Sequence, residues 1–208
     1  MKRKVHQINK AGSIGNLKLI EEDLPLPGDT EFTIEVKAIG LNFADIFALT
    51  GLYSATPSGS FIPGLEYSGV VIYAGKNTGK FQVGDQIIGV TRFGAYATHL
   101  NIDEKYTYPL PKLWSFEEGA GFIAQALTAY YALVPLGNIK KNDAVLIHSG
   151  GGGVGIYANR IAKLYDAFTI GSVGDENKIP FLKKEGYDEV IVRREDFFDV
   201  LQKKLNGR

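Results

Sequence analysis

Cysteine is absent from all 208 residues. That excludes disulfides, thiolate nucleophiles and cysteine-ligated zinc. Net charge is absent too: 23 Lys and Arg stand against 23 Asp and Glu, so no electrostatic footprint points to nucleic acid or to an anionic membrane surface. Histidine is scarce, and His6, His99 and His148 lie far apart in sequence. No apolar run reads as long enough to cross a bilayer, and residues 1–10 carry no signal-peptide pattern. The expectation is a cytoplasmic protein with neither a nucleic-acid nor a membrane partner. No internal repeat or low-complexity segment is visible.

What is present is apolar and glycine-rich. Hydrophobic residues make up 45% of the chain, enough for one large core or two small ones. The 25 glycines are dispersed, as in a β-rich protein with many turns. Residues 32–39 alternate as FTIEVKAI and read as a half-buried strand. Residues 41–49 form a short helix before Gly51, and 67–74 a nearly continuous apolar strand. A turn over 79–85 carries one aromatic anchor, Phe81, and strands follow at 86–90 and 95–102. Short strands between glycine turns suggest a compact or partial barrel. Ser115 and Glu118 have capping-box spacing and open a helix. The segment from there to about Val134 is apolar on nearly every side, which predicts a buried helix at a domain boundary.

The pattern changes at residues 142–163, NDAVLIHSGGGGVGIYANRIAK. A β-branched apolar run leads into glycines. Val154, Ala158, Ile161 and Tyr165 then recur at helical spacing, with Asn159, Arg160 and Lys163 off the stripe. Gly150, Gly152 and Gly155 fit G-x-G-x-x-G between a strand and a helix, the context that gives the motif meaning. The first glycine permits a sharp turn, the second a close approach of backbone to pyrophosphate, and the third tight helix–strand packing. The N–H groups at the helix start then face the phosphates. Beyond it, strands at 167–173 and 188–192 alternate with helices at about 177–185, ended by Gly186, and 195–205, ended by Gly207. Pro180 is tolerable only in the first turn of its helix. Alternating strands and helices of this kind make a doubly wound parallel sheet.

Several motifs in order resemble the zinc-independent medium-chain dehydrogenase/reductases. The quinone oxidoreductases, with the synaptic-vesicle-protein-like reductases beside them, are the branch most similar. The motifs are GLNFADIFALTGLY (40–53), PGLEYSGVV (63–71), VGDQIIG (83–89), GAYATH (94–99), ALTAYYAL (126–133), LIHSGGGGVG (146–155) and TIGSVGDENK (169–178). The resemblance implies an α/β chain: an N-terminal GroES-like β-barrel domain holding substrate (1–125), followed by the first half of a Rossmann doubly wound domain (126–208). Zinc-dependent relatives carry Cys and His where this chain has Asn42 and Leu65, and neither side chain completes a zinc site. The implied activity is hydride transfer from NADPH to a quinone or activated alkene, with the chemistry supplied by the cofactor.

The resemblance also supplies candidate residues. Asn42 and Tyr53 match positions near nicotinamide and substrate, and Thr128 a position lining the cofactor cleft. Each also has a purely structural reading: Asn42 as a helix cap, Tyr53 as packing at the barrel edge, Thr128 bonding its own backbone. Gly150, Gly152, Gly153, Val154 and Gly155 form the phosphate turn. An NAD site puts an acidic residue at the end of the second strand, where this chain has Gly174. With Ser172 before it and Lys178 after it, that position suits a 2′-phosphate and hence NADP(H). Arg193 and Arg194 offer a further cationic fork. Asp175, one residue late, speaks for NAD unless it caps a helix, the reading preferred here. No residue is assigned an acid–base role.

By the same resemblance the half of the Rossmann fold flanking nicotinamide is missing, and strand 144–149 becomes an apolar edge. The chain is then a piece of a longer protein, a short paralogue without catalysis, or one part completed by a partner. A full-length form is expected to dimerise. The alternative to a reductase is a non-catalytic nucleotide-binding or interaction module.

Overall fold

The computed structural model describes residues 1–194 and 196–205. The chain divides into two compact units, Met1–Ala124 and Gln125–Arg208.

In the first unit, β1 (Lys2–Gln7) pairs antiparallel with β2 (Lys18–Asp23). A second, antiparallel sheet has the order β6-β3-β4-β5-β7, built from β3 (Glu31–Ile39), β4 (Glu66–Ala74), β5 (Gln86–Val90), β6 (His99–Asp103) and β7 (Thr107–Pro109). Phe32, Ile34, Tyr67, Val71, Ile87 and Leu100 form its core, and Phe81 closes it edge-on against Phe32 at 6.0 Å. Two register shifts between β3 and β4 bend the sheet. At the second, Gly69 is required: a Cβ there would lie 2.3 Å from the Glu35 carbonyl oxygen. Helix α1 (Phe43–Thr50) ends at Gly51 in the left-handed conformation, φ 83°. The strand expected over 95–102 begins only at His99, because the chain bends after Gly94. β1, β2 and β7 escape the sequence reading, since KRKVHQ and KLIEED carry charge where an alternating strand would show apolar residues.

The capping box at Ser115 is present: the Glu118 N–H donates to Ser115 Oγ at 3.2 Å, and the Ser115 N–H to Glu118 Oε2 at 2.8 Å. It opens α2 (Phe116–Ala120), followed by α3 (Ile123–Tyr131) and a π-helical turn at Ala132–Leu136 that accommodates Pro135. This stretch departs from the expected all-round burial. Ala129 is 1% exposed, but Leu127, Tyr131 and Leu136 are 55%, 60% and 70% exposed. Ile123 packs against Ile88 and Leu110, and Leu133 reaches the cores of the second unit, while Leu127, Tyr131 and Leu136 stay largely uncovered by the described residues. The run Phe116–Leu136 is also, at 21 residues, long and apolar enough to cross a membrane by length and composition alone. The run is not continuously apolar, because Glu117, Glu118, Gln125 and Thr128 interrupt it.

The second unit holds a parallel three-stranded sheet, order β10-β9-β8, from β8 (Ala144–Ile147), β9 (Phe168–Val173) and β10 (Glu189–Val192). The intervening helices are α4 (Gly153–Leu164), α5 (Ile179–Lys184) and α6 (Phe197–Leu205). Pro180 lies in the first turn of α5, and Gly186 takes φ 88° after its end. Glu195 and Gly207, the expected bounds of the last helix, lie outside the described residues. The buried stripe of α4 is rotated from the one expected: Gly155, Ala158, Asn159 and Ala162 face inward, while Val154 is 42% exposed. Small residues bring the helix close to the sheet, and the Asn159 amide donates to the Glu185 carbonyl at 2.7 Å.

Ile34, fully buried in the first core, measures the strength of that packing. Ile34→Ala should destabilise the first unit by about 2–5 kcal/mol, read from the denaturant midpoint of its unfolding; a change below about 1 kcal/mol would mean the site collapses around the deletion.

Candidate dinucleotide site

The second unit builds its site on the connection from β8 to α4. Ser149 takes the left-handed conformation, φ 53°, so the sharp turn falls on Ser149 and not on Gly150 as the motif predicts. The Gly150 N–H donates to the Ser172 carbonyl at 3.0 Å, and the Gly152 N–H closes the turn on the Ser149 carbonyl at 2.8 Å. Gly150 is required instead by crowding: a Cβ would lie 2.9 Å from Leu182 Cδ2 and 3.0 Å from Tyr187 Oη. Gly155 does what the third glycine of the motif should, since its Cβ would stand 2.7 Å from the Ser149 carbonyl oxygen. At Gly153 a Cβ would collide with the side-chain amide of Gln125. Gly152, the N-cap of α4, is the open position, with only the Ser149 carbonyl near. Exposed backbone at a helix N-terminus, with donors that no carbonyl of the helix can satisfy, is the geometry that takes a phosphate.

Beside the turn is a cavity of about 240 Å³ lined by Ser149, Gly151, Gly152, Val173, Gly174, Asp175, Lys178 and Arg193. Gly174, Lys178 and Arg193 are thus brought together at the end of β9. The Arg193 guanidinium lies 3.6 Å from where a Gly174 side chain would begin, so a carboxylate side chain at 174 would fill the space that the glycine leaves beside the cation. Asp175 accepts from the Asn177 N–H at 2.9 Å and is the N-cap of the turn Glu176–Lys178. Arg194 is paired with Glu176 and does not line the cavity. Ser172 is placed differently from its sequence reading: it is fully buried, and its hydroxyl meets His148 Nδ1 at 3.0 Å. Thr128 lines a separate shallow hollow with Leu127, Tyr130, Tyr131, Ala132 and Leu136. Gln125 and Tyr187 carry no motif signal and escape the sequence reading, although both press on the glycine turn.

In the first unit Asn42 is the N-cap of α1, and its Nδ2 donates to Glu66 Oε1 at 2.9 Å. Glu66 is 1% exposed, and its other oxygen accepts the Ala124 N–H at 2.8 Å. Asp45, 2% exposed, accepts from the Asn42 N–H at 2.8 Å and from the Tyr96 hydroxyl at 3.2 Å. Tyr53 packs against the cluster of Ile8, Ala48, Leu49 and Phe61. Burial raises the pKa of both Asp45 and Glu66 above the usual carboxylate range, and the charge of Asp45 adds to the shift of Glu66. Among the described residues no group of three or more His, Asp or Glu is arranged to hold a metal ion.

A two-stranded sheet, a five-stranded antiparallel sheet and a βαβ sheet with a glycine turn define the class. The model of the alcohol dehydrogenase GroES-like domain matches residues 28–135, just over half of the chain, and the protein belongs to that family. The chain is 32% identical over 180 residues to the mouse (Mus musculus) synaptic vesicle membrane protein VAT-1 homolog, covering 86% of this chain and 44% of that one. It superposes with a TM-score of 0.89 and 33% identity on the Escherichia coli quinone oxidoreductase solved in complex with NADPH, covering 100% of this chain and 63% of that one. On the CurK enoyl reductase the TM-score is 0.90 at 30% identity, with coverages of 99% and 64%. The chain therefore spans less than half of the VAT-1 homologue and just under two thirds of the two reductases.

The buried carboxyls have a pH consequence. Raised folded pKa values contribute stability that is fully present below the ordinary carboxylate pKa and is lost as pH rises through the raised ones. Asp45→Asn should flatten the fall in melting temperature between acid and neutral pH, whatever it does to stability at one pH. Parallel profiles for the two proteins would show that Asp45 does not titrate with folding.

Proposed function

We propose that this chain binds NADPH in its second unit and belongs to a zinc-independent reductase that transfers a hydride to a quinone or an activated alkene. The observation that carries this reading is the cavity at the end of β9, where Gly174 stands in the place of an acidic residue and Lys178 and Arg193 supply positive charge. Bound NADPH would supply the hydride. The residues of the chain bind and orient. The open backbone of residues 150–155 and the start of α4 hold the pyrophosphate, with Gly152 at the point of approach and Gly153, Val154 and Gly155 in the first helical turn. Lys178 and Arg193 take the 2′-phosphate, and Gly174 leaves room for it. A carboxylate there would repel it and accept from a ribose hydroxyl instead. Asn42, Tyr53 and Thr128 are assigned to nicotinamide and substrate. The similarity to an NADPH-bound quinone oxidoreductase and to an enoyl reductase supports both the cofactor and the two acceptor classes. The replacement of Cys and His by Asn42 and Leu65 supports independence from zinc. Residues 1–125 are then the substrate domain and 126–208 the cofactor-binding part.

A second reading has its own observation. The free edge of β8 among the described residues and the exposed apolar face of α3 fit a nucleotide-binding module without catalysis.

Titration of the chain with NADPH and NADH separates these ideas. The proposal predicts tighter binding of NADPH, with Lys178→Ala and Arg193→Ala each weakening NADPH about tenfold, the low end for charge-assisted hydrogen bonds at an exposed site, and leaving NADH unchanged. Equal affinity for the two cofactors would remove the 2′-phosphate assignment. NADPH consumption with a simple quinone or enone supports the reductase, whereas binding without turnover favours the module.

A further inference from the structure

Tyr187 sits behind the glycine turn, 3% exposed, on the short link between α5 and β10. Its hydroxyl reaches the Gly155 carbonyl at 2.7 Å and the Gly150 carbonyl at 3.1 Å. These two residues are the first and last glycines of the turn, one in the turn that follows β8 and the other in the first turn of α4. One phenolic proton, given mainly to the nearer Gly155 carbonyl and shared with that of Gly150, therefore links both ends of the loop. The ring also explains a glycine that the motif does not. Gly171 lies within β9, where glycine weakens a strand, and a Cβ there would stand 2.7 Å from Leu182 Cδ2 and 2.9 Å from the Tyr187 ring. Gly150 and Gly171 together clear the space that the ring occupies, and Gly186, at φ 88°, turns the chain immediately before it. Burial raises the phenol's pKa further above its ordinary value, so the hydroxyl remains a donor.

We infer that Tyr187 is a positioning residue for dinucleotide binding: its hydroxyl braces the glycine turn from behind, so that the backbone N–H groups at the start of α4 are already aimed at the pyrophosphate when the cofactor arrives. Preorganisation of this kind raises affinity by removing the ordering that binding would otherwise require. The inference rests on the glycine turn being the pyrophosphate site.

The test is Tyr187→Phe in the full chain, which keeps the ring and removes only the hydroxyl. NADPH, which spans the turn, is compared with adenosine 2′-monophosphate, which reaches the 2′-phosphate corner and has no pyrophosphate. The expected result is an NADPH Kd raised about three- to tenfold, the loss of one hydrogen bond, with adenosine 2′-monophosphate binding unchanged and faster exchange of the hydrogen-bonded amides of Gly150, Gly152 and Ile156. Unchanged NADPH affinity, or equal weakening of both ligands, would overturn the positioning role. If wild-type protein bound neither ligand, the proposed function would fall, and amide exchange alone would decide whether Tyr187 braces the loop. Exchange equal to wild type would overturn the brace.

Discussion

The constraint on which the second unit depends is the contact between the Ser149 carbonyl and Gly155. Those atoms meet so closely that no side chain fits between strand end and helix. The contact sets how near α4 lies to β8 and β9. It leaves Gly152 open at the N-cap and selects the small inward face of Gly155, Ala158 and Ala162. The same closeness buries Asn159, a residue that sequence pattern assigns to the surface; its Nδ2 donates to the Glu185 carbonyl, and its Oδ1 has no hydrogen-bond partner among the described residues. An open helix N-terminus is thus a by-product of tight helix–sheet packing, which is why one glycine pattern can report on both packing and the proposed phosphate site.

Local signals carried much of the fold. The alternation in FTIEVKAI, the Ser115–Glu118 box, Gly51, Gly186 and the position of Pro180 each predict a feature that the structure contains. Residues whose role comes from a distant neighbour were not legible. Ser149 takes the positive φ that the motif assigns to a glycine. Tyr187 lies far along the chain from the turn it touches, and Gln125 acts on Gly153 across 28 positions of sequence (153 − 125). β1 and β2 were hidden because their pairing is set by each other, over charged residues that do not alternate as a half-buried strand would.

The candidate site shows the same division. Gly174 is placed by a spacing rule, Lys178 by its nearness to it and Arg193 by its place after the third strand, and all three line one cavity. Ser172, two residues before Gly174, does not line that cavity: it is fully buried and its hydroxyl meets His148. The exposed apolar residues of α3 reveal a different limit. Hydrophobicity all round a helix predicts burial, but Ile123 and Ala129 are covered while Leu127, Tyr130 and Tyr131 are not covered by described residues, and the solved relatives are longer than this chain by more than a third of their own length.

The central claim is that the backbone of the glycine turn and the corner at Gly174 form one dinucleotide site. The measurement that tests it most directly is amide chemical-shift mapping of the isotope-labelled chain as NADPH is added. The account predicts shifts concentrated at residues 150–155, at 174–178 and at Arg193. Saturation with shifts elsewhere, or no shifts at the glycine turn at concentrations that perturb other amides, would contradict it.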